Sequence, residues 1–153
     1  MKPQNGSKLL RKGRASIKNE HYLITTTALE RKPVFKQSEA PEIVLKSLHW
    51  CESQGKIALD AAVVMPDHLH FVMSLRSGSL AQLMHSLKGY TAYKVNGLLK
   101  KKGPLWQRHY HDHAVRQDED LKEVVLYTLY NPVRAGLVDD FHDYFFWYCR
   151  WDV

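Results

Sequence analysis

VMPDHLHFV, residues 64–72, places two histidines two positions apart inside an otherwise apolar run. Side chains two apart point to the same face of a β-strand, so His68 and His70 share one face while Leu69 and Phe71 take the other. The Pro-Asp pair before them is typical of a tight turn. The stretch therefore predicts a β-hairpin whose second strand carries two imidazoles on one face.

The segments on either side of this hairpin predict alternating strands and helices. Residues 21–29 are rich in β-branched and aromatic side chains and predict a strand, and residues 41–55 have helical spacing that ends at a glycine. A long amphipathic helix is predicted at residues 79–99, a fourth strand at 105–115 and a third helix at 118–132. The apolar stripe of the long helix is predicted to consist of Leu80, Leu83, Met84, Leu87, Tyr90 and Leu98.

The resulting order is β-α-β-β-α-β with an added helix. This order predicts an α+β fold, a ferredoxin-like (split βαβ) antiparallel sheet with helices on one face. The chain has 153 residues, of which 44% are hydrophobic and 25% charged, and it contains no long apolar run. These values predict a globular domain that needs no membrane. The two cysteines form no metal-binding or disulfide pattern, so a reducing cytoplasm is expected.

The charge of the chain predicts a polyanionic partner. The formal net charge is +6, and lysines and arginines crowd the first eighteen residues. We interpret residues 1–18 as a basic arm and residues 19–153 as a single domain. Nucleic acid is the first candidate for the partner, and a nucleoid-associated position in the cytoplasm would follow.

The histidine pair has two explanations when it is taken alone. Two neutral, hydrogen-bonded histidines can be ordinary structural residues, and a metal site would need a third ligand and an open position. Tyr127 and Asn131 lie four apart in the third predicted helix and would share one helical face. A tyrosine can attack a phosphodiester, and an amide oxygen can bind a hard cation. A core aromatic and a helix cap would have the same spacing.

A second histidine cluster, HYHDH at residues 109–113, supports a competing hypothesis. His109, His111 and His113 alternate and would lie on one strand face. They could belong to a zinc hydrolase, although the spacing differs from the metal-binding motif of metallo-β-lactamase-type enzymes, and that fold needs a longer chain.

Three motifs occur together: VMPDHLHFVM at residues 64–73, LWQRHYHDHAVR at 105–116 and YTLYNPVRAGLV at 127–138. In this order and spacing they resemble the single-tyrosine HUH transposases, most closely the REP-associated tyrosine transposases, over about residues 21–138. The resemblance implies an HUH endonuclease-like fold. It places metal ligands at His68, His70 and Asn131 and the nucleophile at Tyr127. Tyr130 is the competing tyrosine.

The resemblance also implies an activity. It predicts a metal-dependent single-stranded DNA endonuclease and strand transferase that acts on hairpin repeat DNA through a 5′-phosphotyrosine intermediate. Mg²⁺ is the expected ion, and Mn²⁺ is expected to substitute for it. Asp67 is interpreted as a turn residue outside the ligand set.

Basic and aromatic side chains near the second motif predict DNA contacts, because single strands are held by cationic grooves and stacking surfaces. The predicted contact residues are Arg14, Trp106, Gln107, Arg108, His113 and Arg116. A non-catalytic binding module for structured hairpin DNA is the alternative function. A monomer is favoured, and a homodimer formed through the long second helix is the alternative.

Overall fold

The computed structural model describes residues 16–17, 19–37, 39–116 and 120–153. Most of the predicted basic arm, including Arg14, lies outside the described residues. Two residues of the arm that are described contact the domain: the Ser16 hydroxyl accepts a hydrogen bond from the Leu80 amide, and the Ile17 amide donates one to the Tyr22 hydroxyl.

Five strands and four α-helices make up the described fold. In chain order they are β1 (His21–Thr27), α1 (Glu39–Ser53), β2 (Ile57–Met65), β3 (His68–Leu75), α2 (Leu80–Leu99), β4 (His111–Ala114), α3 (Leu121–Leu129), α4 (Asn131–Arg134) and β5 (Trp147–Cys149). Short 3-10 helices occur at Leu29–Arg31 and Phe141–Asp143. None of the described helices is long and apolar enough to cross a membrane.

The sheet has the strand order β4-β1-β3-β2-β5, and each neighbouring pair is antiparallel. The first four strands of this order form the split βαβ arrangement, and β5 extends the sheet at the outer edge of β2. The predicted fold class is therefore confirmed. The hairpin predicted from the first motif joins β2 to β3, and its turn consists of Pro66 and Asp67.

The two faces of the sheet are covered by different helices. Both long helices, α1 and α2, bury their apolar sides against one face, which we call the helical face, as predicted. The shorter α3 packs on the opposite face, where Val125 and Leu129 cluster with Ala61 and Val72 in a second, smaller core. The prediction of helices on one face therefore holds for α1 and α2 but not for α3, whose own apolar side covers the other face. We call this opposite face the site face, because His68, His70 and Val72 alternate along β3 on this side.

The apolar stripe of α2 differs from the prediction at one position. Tyr90 is 53% exposed, whereas Thr91 and Val95 are buried. These two residues follow Leu87 at intervals of four, so the buried stripe runs along them and leaves Tyr90 at its border.

The predicted fourth strand is much shorter than expected. Only His111–Ala114 pairs as a strand with β1, and Trp106 forms an isolated bridge with Ala28. The reason is that Trp106 turns inward, where its indole Nε1 donates a hydrogen bond to the Thr91 hydroxyl of α2 at 2.9 Å. The segment before β4 is thus a loop anchored to the helical face.

The predicted third helix is interrupted. The α3 helix ends at Leu129, Tyr130 has φ −80° and ψ 0°, and α4 begins at Asn131. Pro132 has no N–H and cannot donate to the Thr128 carbonyl one turn earlier. The Asn131 side chain supplies that hydrogen bond instead, with Nδ2 to the Thr128 oxygen at 2.8 Å.

Candidate active site

The histidine pair lies on the site face of β3, at the end of the sheet nearest the β2–β3 turn. His68 pairs with Thr27 of β1 and Met65 of β2, and His70 pairs with Thr25 and Val63. The two imidazole rings are 4.5 Å apart between centroids and nearly perpendicular. The predicted shared face is therefore confirmed, and the two rings are in direct contact.

Each imidazole is oriented by a hydrogen bond at Nδ1. His68 Nδ1 lies 2.6 Å from Asp67 Oδ1, and His70 Nδ1 lies 2.7 Å from the Thr25 hydroxyl. The other oxygen of Asp67 forms an ion pair with Arg31 at 3.1 Å. Asp67 is a turn residue as predicted, and it also orients His68. With Nδ1 occupied on both rings, Nε2 is the atom that each ring presents to a ligand.

The surroundings of His70 keep its imidazole neutral. Burial is the main cause that lowers the pKa of His70, to about 3, and the charges of His68 and Arg134 add to the shift. Asp67 opposes it. A neutral imidazole has the free lone pair that a metal ion requires.

Tyr127 lies on α3 and Asn131 on α4, and both helices pack on the site face of the sheet. Tyr127 is 62% exposed and lies in the last turns of α3. Asn131 begins α4 and is partly buried. The two residues are thus on successive helices and not on one continuous helix as predicted, because the chain breaks at Tyr130 before Pro132.

Arg134 makes two contacts with Tyr127. Its guanidinium carbon lies 3.8 Å from the centroid of the Tyr127 ring, and its Nη2 donates to the Tyr127 carbonyl at 2.7 Å. The same cation is close enough to His70 to contribute to its lowered pKa. Tyr130, the competing tyrosine, instead packs against Phe141 with ring centroids 5.2 Å apart.

The donor chemistry of the site fits a divalent cation. His68 and His70 present Nε2 atoms, and the Asn131 amide engages Thr128 through its nitrogen, so that Oδ1 is the atom suited to a cation. Within the described ranges, no group of three or more histidine, cysteine, aspartate or glutamate residues is arranged to hold a metal. Asn131 therefore stays the predicted third ligand, and its amide oxygen is a ligand type that hard cations accept.

The zinc-hydrolase hypothesis is not supported by the described structure. His111 and His113 lie on the same face of β4, but His109 precedes the strand. No metal-binding cluster of histidines and carboxylates forms in this segment or elsewhere among the described residues. His111 pairs with Thr25, which pairs with His70, so this edge histidine lies in the same cross-strand row as the site.

The predicted DNA-contact residues fall into three groups. Trp106 is only 5% exposed, and its ring lies 5.0 Å from that of Phe35, so its burial argues against the predicted stacking on bases. Gln107, Arg108 and Arg116 are exposed, and His113 is partly buried on the site face. The backbone amide of Gln107 donates to the carbonyl of Thr27, the β1 residue that pairs with His68. Arg14 lies outside the described residues.

Two residues of the site were not predicted from the sequence. Thr25 orients His70, and its position opposite His70 depends on the register of β1 with β3. Arg134 contacts Tyr127 seven residues earlier. Its place in the third motif was the available signal, although the spacing alone does not indicate a contact across a helix break.

Comparisons with known proteins identify the family of the chain. The family described as "Transposase IS200 like" matches residues 16–128, which include the histidine pair and Tyr127. The chain belongs to the IS200-like transposase family. The predicted resemblance to tyrosine transposases is confirmed.

Curated relatives of this IS200-like chain are REP-associated tyrosine transposases. A Haemophilus influenzae protein assigned to that class is 28% identical over 95 residues, covering 55% of this chain and 54% of the relative. The Escherichia coli K12 REP-associated tyrosine transposase is 29% identical over 88 residues, covering 56% of this chain and 50% of the relative. The chain thus spans about half the length of the curated relatives that it matches.

Solved structures confirm the HUH endonuclease-like fold of this family member. A REP-associated tyrosine transposase bound to a REP hairpin superposes with a TM-score of 0.70 at 22% identity, covering 88% of this chain and 79% of that one. A Deinococcus radiodurans protein assigned as a transposase superposes with a TM-score of 0.55 at 21% identity, covering 76% and 94%.

Proposed function

We propose that the chain is a metal-dependent endonuclease and strand transferase for single-stranded DNA, acting at hairpin repeats through a 5′-phosphotyrosine intermediate. The observation that carries this proposal is that two oriented imidazoles lie on the site face of the sheet, and that the helix packed on this same face carries an exposed tyrosine. Membership of a transposase family supports the same class of reaction.

The proposed step is a transesterification by Tyr127. Its phenolic oxygen attacks the scissile phosphorus, the bond from phosphorus to the 3′ oxygen breaks, and the released fragment ends in a 3′-OH. The phenolic proton is lost as the bond forms, and the 3′ oxygen gains a proton. The covalent link retains the phosphodiester energy, so attack by a 3′-OH can rejoin strands without a nucleotide triphosphate.

His68, His70 and Asn131 would hold the cation, Mg²⁺ or in its place Mn²⁺. When bound, the ion supplies Lewis-acid polarisation of the phosphate. Asp67 and Thr25 orient the imidazoles before a cation binds, because their hydrogen bonds to Nδ1 fix the two rings with Nε2 available.

Hairpin DNA is the proposed partner. The relative with a TM-score of 0.70 is bound to a REP hairpin, which supports a similar ligand here. Gln107, Arg108, His113 and Arg116 are proposed contacts near the site, and Arg14 is a proposed phosphate contact of the arm. We further propose that the active form is a monomer in the cytoplasm, associated with the nucleoid through its DNA ligand.

The proposal is tested with labelled single-stranded hairpin DNA taken from repeats beside the protein's own gene. The protein is incubated with the DNA and Mg²⁺, Mn²⁺ or EDTA, and products are separated on a denaturing gel. We expect a metal-dependent covalent adduct that is lost in Tyr127→Phe and His68→Ala. Tyr130→Phe is the matched control and should retain the adduct. Binding of the hairpin without an adduct under every metal condition would favour the non-catalytic binding module.

A further inference from the structure

We propose that Arg134 positions Tyr127 for attack and presents its cation to the phosphate that Tyr127 attacks. This inference rests on the proposed function and deepens it. It assigns a role to a residue on α4 that is neither a metal ligand nor the nucleophile.

The first support is the double contact between Arg134 and Tyr127. The guanidinium lies over the ring at 3.8 Å and also donates to the carbonyl of the same residue at 2.7 Å. The carbonyl contact fixes the backbone and the stacking contact fixes the ring plane, so the pair restricts the direction in which the phenolic oxygen points. This restriction is useful because the ring is otherwise exposed, with 62% of the residue accessible.

The second support is the hydrogen-bonding capacity that remains on the guanidinium. Arginine carries five N–H donors in a planar fork, and the Tyr127 carbonyl takes one of them. Arg134 is itself exposed, so donors at its outer edge can bind a phosphate.

The interruption between the two helices makes this geometry stable. Pro132 lies in the first turn of α4, and the Arg134 amide donates to the Tyr130 carbonyl at 3.0 Å. These features hold α4 in a fixed position against the end of α3. The guanidinium is therefore attached to a rigid segment and not to a free loop.

A purely structural role is the competing explanation. The Tyr127 carbonyl is among the last four of α3, which have no partner within their helix, and a cation there also suits the helix dipole. An arginine that only capped α3 would contribute to stability and would not affect the chemical step in the folded protein.

The two explanations are separated by measuring adduct formation, hairpin affinity and thermal unfolding on the same variants. We compare Arg134→Ala and Arg134→Lys with Arg76→Ala, a control at the far end of β3 where the guanidinium donates to Asn19 at 2.9 Å. Loss of the fork from Arg134 should slow single-turnover adduct formation by about 100-fold to 1,000-fold, as for other donors aimed at a reacting oxyanion. Hairpin affinity should fall by less than about tenfold, since one phosphate contact is lost among several.

Chemical rescue with free guanidinium ion separates the two explanations for Arg134. Free guanidinium ion at low millimolar concentration should restore part of the rate of Arg134→Ala and none of the rate of Tyr127→Phe. Arg134→Lys should stay slow, because lysine keeps the charge but lacks the planar fork. A folded Arg134→Ala with the wild-type rate would overturn the inference while leaving the proposed function intact. Wild-type protein that forms no adduct would instead refute the proposed function.

Discussion

The two faces of β3 differ although they share one eight-residue strand. On the helical face, Leu69, Phe71 and Met73 are fully buried under α1 and α2. On the site face, His68 and His70 are in contact with each other and lie beside only a small apolar cluster around Val72. One face therefore supplies the burial that holds the strand in place, and the other can carry polar groups that contribute little to stability.

The largest expected effect tests the helical face. Phe71→Ala removes a fully buried aromatic ring and should lower the free energy of unfolding by about 3–5 kcal/mol. Tyr127→Phe is the comparison on the site face, and because Tyr127 is 62% exposed it should change stability by less than about 0.5 kcal/mol. Urea denaturation of both variants measures the difference. Equal losses would mean that the two faces contribute alike to stability.

Lowering the pH should reduce the free energy of unfolding through His70 on the site face. Burial holds the pKa of His70 at about 3, below the ordinary 6.5, so the unfolded chain binds a proton that the native state refuses. The free energy of unfolding is therefore unaffected by His70 above about pH 6.5, where His70 is neutral in both states. It falls as the pH decreases towards 3, because only the unfolded chain takes up the proton. Each unit of difference corresponds to about 1.4 kcal/mol, so the total loss is on the order of a few kcal/mol.

The test for this acid sensitivity compares wild-type protein with His70→Gln in EDTA, by denaturant unfolding from pH 7 to pH 4. The charged groups that act on the pKa of His70 are His68, Arg134 and Asp67, and they remain unchanged in both proteins. We expect the stability advantage of wild type over the variant to shrink as the pH falls. An advantage that does not change with pH would show that His70 titrates normally.

The fold was predictable wherever a local pattern controlled it. Alternation in the first motif was sufficient to place His68 and His70 on one face, and the strand-helix order was sufficient for the first four strands of the sheet. The edge strand β5 was not predicted, because only its pairing with β2 makes this three-residue segment a strand. The helix break at Tyr130 was not predicted, because the helical pattern continues through it and only the missing N–H of Pro132 interrupts the hydrogen bonds. Trp106 was predicted to contact DNA because its burial cannot be inferred from the local sequence. That burial depends on Thr91, a distant residue on α2.

The candidate site was predictable to a similar degree. The proposed metal ligands and the proposed nucleophile come from motifs, whereas the residues that orient them depend on tertiary contacts. Thr25 reaches His70 only through the register of two strands that are distant in the sequence, and Arg134 reaches Tyr127 only across the helix break. Orienting residues of this kind have no fixed spacing from the groups they orient.

A smaller effect is expected from the hydroxyl that orients His70. Thr25→Val keeps the shape of the side chain and removes the 2.7 Å hydrogen bond to Nδ1. Loss of such an outer partner typically weakens metal binding by about 10-fold to 100-fold. Titration with Mn²⁺, followed by calorimetry, measures the affinity. An unchanged affinity would show that the ring keeps its orientation without Thr25.

The neighbouring threonine provides the smallest effect, with the opposite sign. Thr26 points to the helical face opposite Leu69, and its hydroxyl is buried without a hydrogen-bond partner among the residues described. An unpaired buried hydroxyl costs about 1 kcal/mol or more, so Thr26→Val should raise the free energy of unfolding by about 1 kcal/mol and leave Mn²⁺ affinity unchanged. Adjacent threonines would then show that a hydroxyl is useful on one face of β1 and costly on the other. A loss of stability in Thr26→Val would mean that this hydroxyl is satisfied, and the contrast between the two faces would be weaker than the burial pattern implies.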